Sequence, residues 1–126
     1  MELKTKIYLV DEKDEKFMGI GVVWLLERIQ EKGSLRAAAS SLGISYSKAY
    51  TMISKLEKSL GKAVLVRRKG GTSRVGAKLT PFGIILLDKY KVFHSSIKEI
   101  TQAPYQVFAN DFNNILSQFD EDGEIK

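Results

Sequence analysis

The sequence has no cysteine, a single histidine and two prolines in 126 residues. Lack of cysteine excludes disulfides and thiolate metal sites, and it suits a reducing compartment. The lone histidine, His94, sits inside a segment of helical apolar spacing, and no Ser/His/Asp or Cys/His catalytic set is recognisable around it. The carboxylates gather in DEKDEK (11–16) and after Asp120, and they form no paired acidic constellation of the kind acid–base catalysis uses. No catalytic residue, no metal site and no cofactor is therefore expected, and an enzyme is not. No apolar run approaches the roughly 18–20 residues of a membrane span, and the N-terminus shows no signal-peptide h-region. Repeats and low-complexity linkers are absent too. The length suits one domain with an appended helix, and 44% hydrophobic residues suffice for a modest core.

The net charge of +5 matters mainly through its distribution. Between Lys55 and Lys78 eight Lys or Arg face one acid, Glu57, so the rest of the chain is near neutral or slightly acidic. Such a block marks a polyanion-binding surface, although a bare charge run is more often just a solvated face.

Apolar spacing supplies the elements. Leu3–Val10 reads as a strand and DEKDEK as a loop. Val22, Val23, Leu25, Leu26 and Ile29 define an amphipathic helix over 20–29, closed by Gly33. Trp24 and the phenylalanines are expected in the core. Ser34 caps an alanine-rich helix over 35–42, Gly43 breaks it, and Ser45 caps a third helix. Ala49, Ile53, Leu56 and Leu60 give that helix one narrow apolar stripe. Val64–Arg67 and Ala77–Thr80 are β-prone runs around a glycine-rich loop. Thr80 and Pro81 then open a helix striped by Leu86, Tyr90, Phe93, Ile97 and Ile100, which Pro104 interrupts. Residues 105–119 suit another helix, and the acidic tail 120–126 is expected to fray. The fold class is mainly α with a small β-sheet.

Gly71–Lys78 (GTSRVGAK) nearly matches the phosphate-binding loop G-x-x-x-x-G-K-[ST]. Alanine stands where that motif needs its lysine, lysine stands where it needs a hydroxyl, and Pro81 intervenes before any helix. The stretch fits better as a wing, a hairpin whose basic tip (Arg67, Arg68, Lys69, Thr72, Ser73, Arg74) lies on a DNA backbone or in a minor groove.

Residues 34–60 have the layout of a helix-turn-helix. At 100° per residue, the face of the third helix opposite Ala49 and Ile53 holds Ser47, Thr51, Ser54, Lys55 and Lys58, flanked by Lys48 and Tyr50. Hydroxyls can bond base edges and lysines neutralise phosphates. Ser34, Arg36, Ser45 and Tyr46 complete the candidate DNA-binding set.

GSLRAAASSLGISYSKAYTMISKLEKSLG, the GG…GA loop and KLTPFG together resemble the DNA-binding domain of the ModE family of molybdate-responsive transcriptional regulators. More loosely they resemble LysR-type regulators. The likeness covers about residues 3–100. It implies a recognition helix within 46–60, a wing over 67–76, and a helix from Pro81 through which such domains dimerise. In this chain Ser73, Arg74 and Val75 stand where the family's wing is often glycine. No room is expected for a molybdate-binding module, and molybdate sensing is not carried over.

These readings give a winged helix-turn-helix domain (1–80), a helical dimerisation region (81–119) and the tail. The expected protein is a cytoplasmic, nucleoid-associated homodimer, a regulator that reads an inverted repeat in double-stranded DNA without touching membranes. A winged-helix module for protein–protein contact is the alternative.

Overall fold

The computed structural model describes residues 1–66 and 76–126. Its elements are β1 (Tyr8–Val10), β2 (Lys16–Gly19), α1 (Ile20–Lys32), α2 (Leu35–Ser41), α3 (Tyr46–Leu60), α4 (Pro81–Ile100) and α5 (Gln102–Ser117). They group into two compact units, one of Ile7–Val92 and one of Met1–Lys6 with Phe93–Lys126.

The first unit holds the core. β1 and β2 pair antiparallel, with Leu9 opposite Met18 and a bulge between Leu9 and Val10. The expected strand over 3–10 thus shortens to 8–10, and its partner takes the last residue of DEKDEK. The turn between them organises itself. Asp11 Oδ1 accepts the backbone N–H groups of Lys13 (2.8 Å) and Glu15 (2.9 Å), and Asp11 N–H donates to the Glu15 carbonyl.

Met18, Leu25, Leu26, Ile29, Ile53, Leu56 and Val64 are fully buried, so β2 and helices α1 and α3 converge on one centre with the chain after α3. Alanines at 38, 39 and 49 are buried as well, and their small side chains let α2 lie close to its neighbours. From α4, Leu87 and Tyr90 complete the cluster. The Tyr90 hydroxyl donates to the Ile7 carbonyl (3.1 Å), and Lys91 Nζ reaches the Glu27 carboxylate at 2.9 Å. Two ties thus bind the first part of α4, up to Val92, to this unit. Trp24, expected in the core, is 52% exposed because it projects from the side of α1 opposite Leu26 and Ile29.

After α3 the chain turns at Gly61 and forms the root of a hairpin. Val66 N–H donates to Lys78 O (2.8 Å) and Thr80 N–H to Val64 O (2.9 Å), around an isolated antiparallel bridge between Leu65 and Leu79. The expected wing strands are therefore present at their base. The tip, 67–75, lies outside the described residues. Thr80 Oγ1 donates to Ala63 O and accepts the Gly83 N–H at 3.0 Å, so one hydroxyl closes the hairpin base and caps α4.

In the second unit, α4 ends at Ile100 and α5 begins two residues later. Pro104 does not break a helix here. It occupies the first turn of α5, where a backbone N–H would have no intrahelical acceptor. Tyr105 Oη donates to Met1 O (2.7 Å) and Lys98 Nζ to Thr5 O (3.0 Å), which holds the N-terminal residues. The tail closes into a turn, with Phe119 bridging Ile125 and Asp120 Oδ1 accepting two backbone N–H groups, whereas charge alone suggested fraying. Phe93, Phe108, Phe112 and Phe119 are each at least 36% exposed, against the expectation that phenylalanines fill the core.

Candidate nucleic-acid interface

Two serines set the geometry of α2 and α3. Ser34 Oγ accepts the Ala37 N–H (2.9 Å) and Ser45 Oγ the Lys48 N–H (3.0 Å), so each helix starts with one of its otherwise unpaired donors satisfied. Between the helices Gly43 adopts φ 68, a left-handed conformation that a side chain strains. The turn thereby fixes the angle at which α3 leaves α2.

On α3, Ala49, Ile53 and Leu56 are buried. Ser47, Lys48, Thr51 and Lys58 are exposed, while Ser54 and Lys55 are half-buried. The expected polar face is therefore brought together on one surface. Tyr46 and Tyr50 sit one turn apart with ring centroids 6.3 Å from each other, and the Arg36 guanidinium lies 4.6 Å over the Tyr46 ring. Such a cation–π contact fixes the arginine beside the start of α3 while leaving its charge in place. Ser34 and Ser45 act as caps, with their hydroxyl oxygens accepting helical N–H groups. Arg67, Arg68, Lys69, Thr72, Ser73 and Arg74 fall outside the described residues.

Glu57, the one acid among the basic residues, has a structural task. Its Oε2 accepts the N–H groups of Val64 (2.8 Å) and Leu65 (3.3 Å). The carboxylate thus tethers the wing root to α3 and is turned toward the protein.

Two open grooves flank α3. One is lined by Ser45, Ser47, Lys48 and Thr51 together with Lys16, Phe17 and Gly21, and the β2 and α1 residues in it escaped the sequence reading. The other runs between the C-terminal half of α3 and the β1–β2 turn, with Asp11, Glu12 and Glu15 facing Ser54, Lys55 and Lys58. Across it, Glu15 Oε2 lies 3.8 Å from Lys55 Nζ. No local signal in the sequence gave this apposition, since the two residues are 40 positions apart.

Gly76 belongs to the wing base, and a Cβ there would collide with the Gly33 carbonyl oxygen. Lys78 follows in the hairpin root, where its carbonyl accepts the Val66 N–H, and not at a helix N-terminus, so the described end of the near-match to a phosphate loop lacks that motif's geometry. Among the described residues, no group of three His, Asp or Glu could hold a metal ion. No described helix is long and apolar enough to cross a membrane.

Residues 23–84, from α1 to the start of α4, match the family described as bacterial regulatory helix-turn-helix proteins of the lysR family. They form a LysR-type helix-turn-helix domain. This domain is similar in fold to the solved CbnR DNA-binding domain in complex with DNA, with a TM-score of 0.56, 22% identity, and coverage of 71% of this chain and 99% of that one. The chain is also 32% identical over 92 residues to the molybdenum-pterin-binding protein MopB of Rhodobacter capsulatus, covering 73% of itself and 34% of that protein. To the molybdenum transport protein ModE of Herbaspirillum seropedicae it is 31% identical over 85 residues, 68% of this chain and 30% of that protein. It thus spans about a third of the length of these curated relatives. The LysR-type match and the molybdenum-related likeness agree with the resemblance read from GISYSKAY and KLTPFG.

Proposed function

We propose that this chain is a sequence-specific double-stranded-DNA-binding transcriptional regulator acting as a homodimer in the cytoplasm, and not an enzyme. One observation carries the reading. The outer face of α3 presents Ser47, Lys48, Thr51, Ser54, Lys55 and Lys58 without an acid, because Glu57 is turned inward onto Val64 and Leu65. Hydroxyls in a major groove bond base edges, and lysines neutralise the flanking phosphates. Arg36, Tyr46 and Tyr50 flank the entry of α3, and the basic wing residues Arg67, Arg68, Lys69 and Arg74, with Thr72 and Ser73, supply backbone or minor-groove contacts. The solved CbnR domain bound to DNA supports the reading through its fold.

Dimerisation draws support from the second unit. Ala109 is its one buried hydrophobic residue among those described, whereas Phe93, Ile100, Val107, Phe108, Ile115 and Leu116 are exposed. Apolar residues spaced along two helices without a core under them need a partner surface. Of the stripe expected to dimerise, Phe93, Ile97 and Ile100 lie in this unit, while Leu86 and Tyr90 pack against the core of the other.

Selection of bound sequences from a random duplex pool tests the proposal. The expected product is an inverted repeat whose half-sites lie about 34–36 Å apart or a multiple of that, with affinity that falls steeply as salt rises. No duplex binding at low salt, together with a protein partner that co-purifies, would favour the protein-contact module instead. Thr51→Ala or Ser54→Ala should change sequence preference, whereas Arg68→Ala or Arg74→Ala should weaken all sequences alike.

A further inference from the structure

The acidic β1–β2 turn stands beside the lysines of the C-terminal half of α3. Residues 11–15 carry four carboxylates and one lysine. A loop with so much like charge would normally spread out in solvent, yet this one is ordered by its own backbone. Asp11 Oδ1 accepts two N–H groups, Asp14 N–H donates to Asp11 O (3.0 Å), and Asp14 takes φ 64. The turn delivers Glu15 to within 3.8 Å of Lys55 Nζ, and Asp11 and Glu12 line the same groove as Ser54 and Lys58.

Fold stability does not account for the pair. The Lys55 and Glu15 side chains keep 41% and 60% of their surface in solvent, and ion pairs so accessible to water contribute little to stability. Its consequence lies in what Lys55 can do. A lysine already facing a carboxylate binds a phosphate less strongly, because the carboxylate shares its N–H donors and repels the arriving anion. Carboxylates within a Debye length of the arriving backbone, about 8–10 Å at moderate salt, repel it as well.

We propose that the β1–β2 turn is a built-in electrostatic brake on the recognition helix, in which Glu15 competes with DNA phosphate for Lys55 and so restrains sequence-independent binding. This rests on the DNA-binding reading above. The brake suits a helix with several lysines, which would otherwise hold any duplex by its backbone. Asp11 builds the turn, Glu15 engages Lys55, and Glu12 adds to the field.

The test uses the full chain and a labelled duplex of arbitrary sequence, with dissociation constants measured across a salt series. Glu12→Gln/Glu15→Gln keeps Asp11 and hence the turn, and circular dichroism checks that the fold is intact. The expected result is tighter binding by the variant, about three- to fivefold at moderate salt, with a log-affinity against log-salt slope steeper by about 1, as one more phosphate contact predicts. In a Lys55→Gln background, Glu15→Gln should then add little. If wild type binds and the variant binds equally or more weakly, the brake is refuted and the DNA-binding reading stands. Equal gains from Glu15→Gln with and without Lys55 would also refute it, since the turn would then act only as bulk charge. If wild type binds no duplex at low salt, the DNA-binding reading falls and the brake with it.

Discussion

Replacing Glu57 sets two physical effects against each other. Its Oε2 accepts the N–H groups of Val64 at 2.8 Å and Leu65 at 3.3 Å, and both residues are buried, with at most 6% exposure. Water cannot readily replace the carboxylate there. A hydrogen bond to a charged group contributes about 1.5–3 kcal/mol, and the longer of these two falls below that range. Glu57→Ala should therefore cost about 3 kcal/mol, a large share of a domain stability of ~5–15 kcal/mol. Glu57→Gln keeps an acceptor oxygen and loses the charge, so about half of the loss is expected, since charge-assisted bonds are roughly twice as strong as neutral ones. In urea, with a slope of ~1–3 kcal/mol per molar, the alanine variant should unfold at a midpoint lower by about 1–3 M. Charge alone points the other way for function, because removing the acid makes the α3 surface more positive. If the tether matters more, folded Glu57→Ala binds duplex DNA more weakly than wild type despite its added charge. An unchanged urea midpoint, or tighter binding with normal stability, would refute the tether.

Three further outcomes follow from particular contacts. Tyr90→Phe removes only the hydroxyl that donates to Ile7 O, so stability in urea should fall by about 1 kcal/mol while the dimer constant stays put. Phe108→Ser removes an exposed ring stacked 5.3 Å from Phe112; sedimentation equilibrium should show dimer affinity at least tenfold weaker, roughly 1.4 kcal/mol, with little change in the unfolding of the first unit. Asp11 is held below the ordinary carboxylate range chiefly by the Glu15 N–H, then by the Lys13 N–H and the nearby Lys55 charge, with desolvation opposing. A depressed folded pKa means its contribution is complete above the unfolded value of about 3.9 and is lost as pH falls through the folded one. Asp11→Asn should therefore flatten the acid limb of the stability profile below about pH 4, measured by urea unfolding at successive pH values.

Much of the site was legible because the residues that define it act within a turn or two of themselves. Ser34 and Ser45 each cap the helix that follows by accepting the N–H three residues ahead, and Ala49, Ile53 and Leu56 share a face by helical geometry alone. Trp24 shows where hydropathy misleads when geometry is set aside. At 100° per residue it falls opposite the arc of Val22, Leu26 and Ile29, and it is exposed as that angle requires. Strand β2 is only four residues long, too short for alternation to register, and its bulge removes what little pattern remained. Pro104 could be read either as a stop or as a first-turn residue, and only the end of α4 at Ile100 decides between them.

The stripe on α4 marks a deeper limit. Leu86, Tyr90, Phe93, Ile97 and Ile100 repeat at four and three, and that spacing shows one face without showing what covers it. The structure divides the stripe between two units, with Tyr90 4% exposed in one and Ile100 66% exposed in the other. A helix that starts as part of one core and ends outside it presents the same periodicity throughout. The Glu15–Lys55 pair is hidden from sequence for the same reason, because neither partner's local pattern contains the other. Local rules can thus assemble the face of α3 that would meet DNA. Which lysines on that face are free to take a phosphate depends on a turn 40 residues upstream, and that turn has to be located in three dimensions.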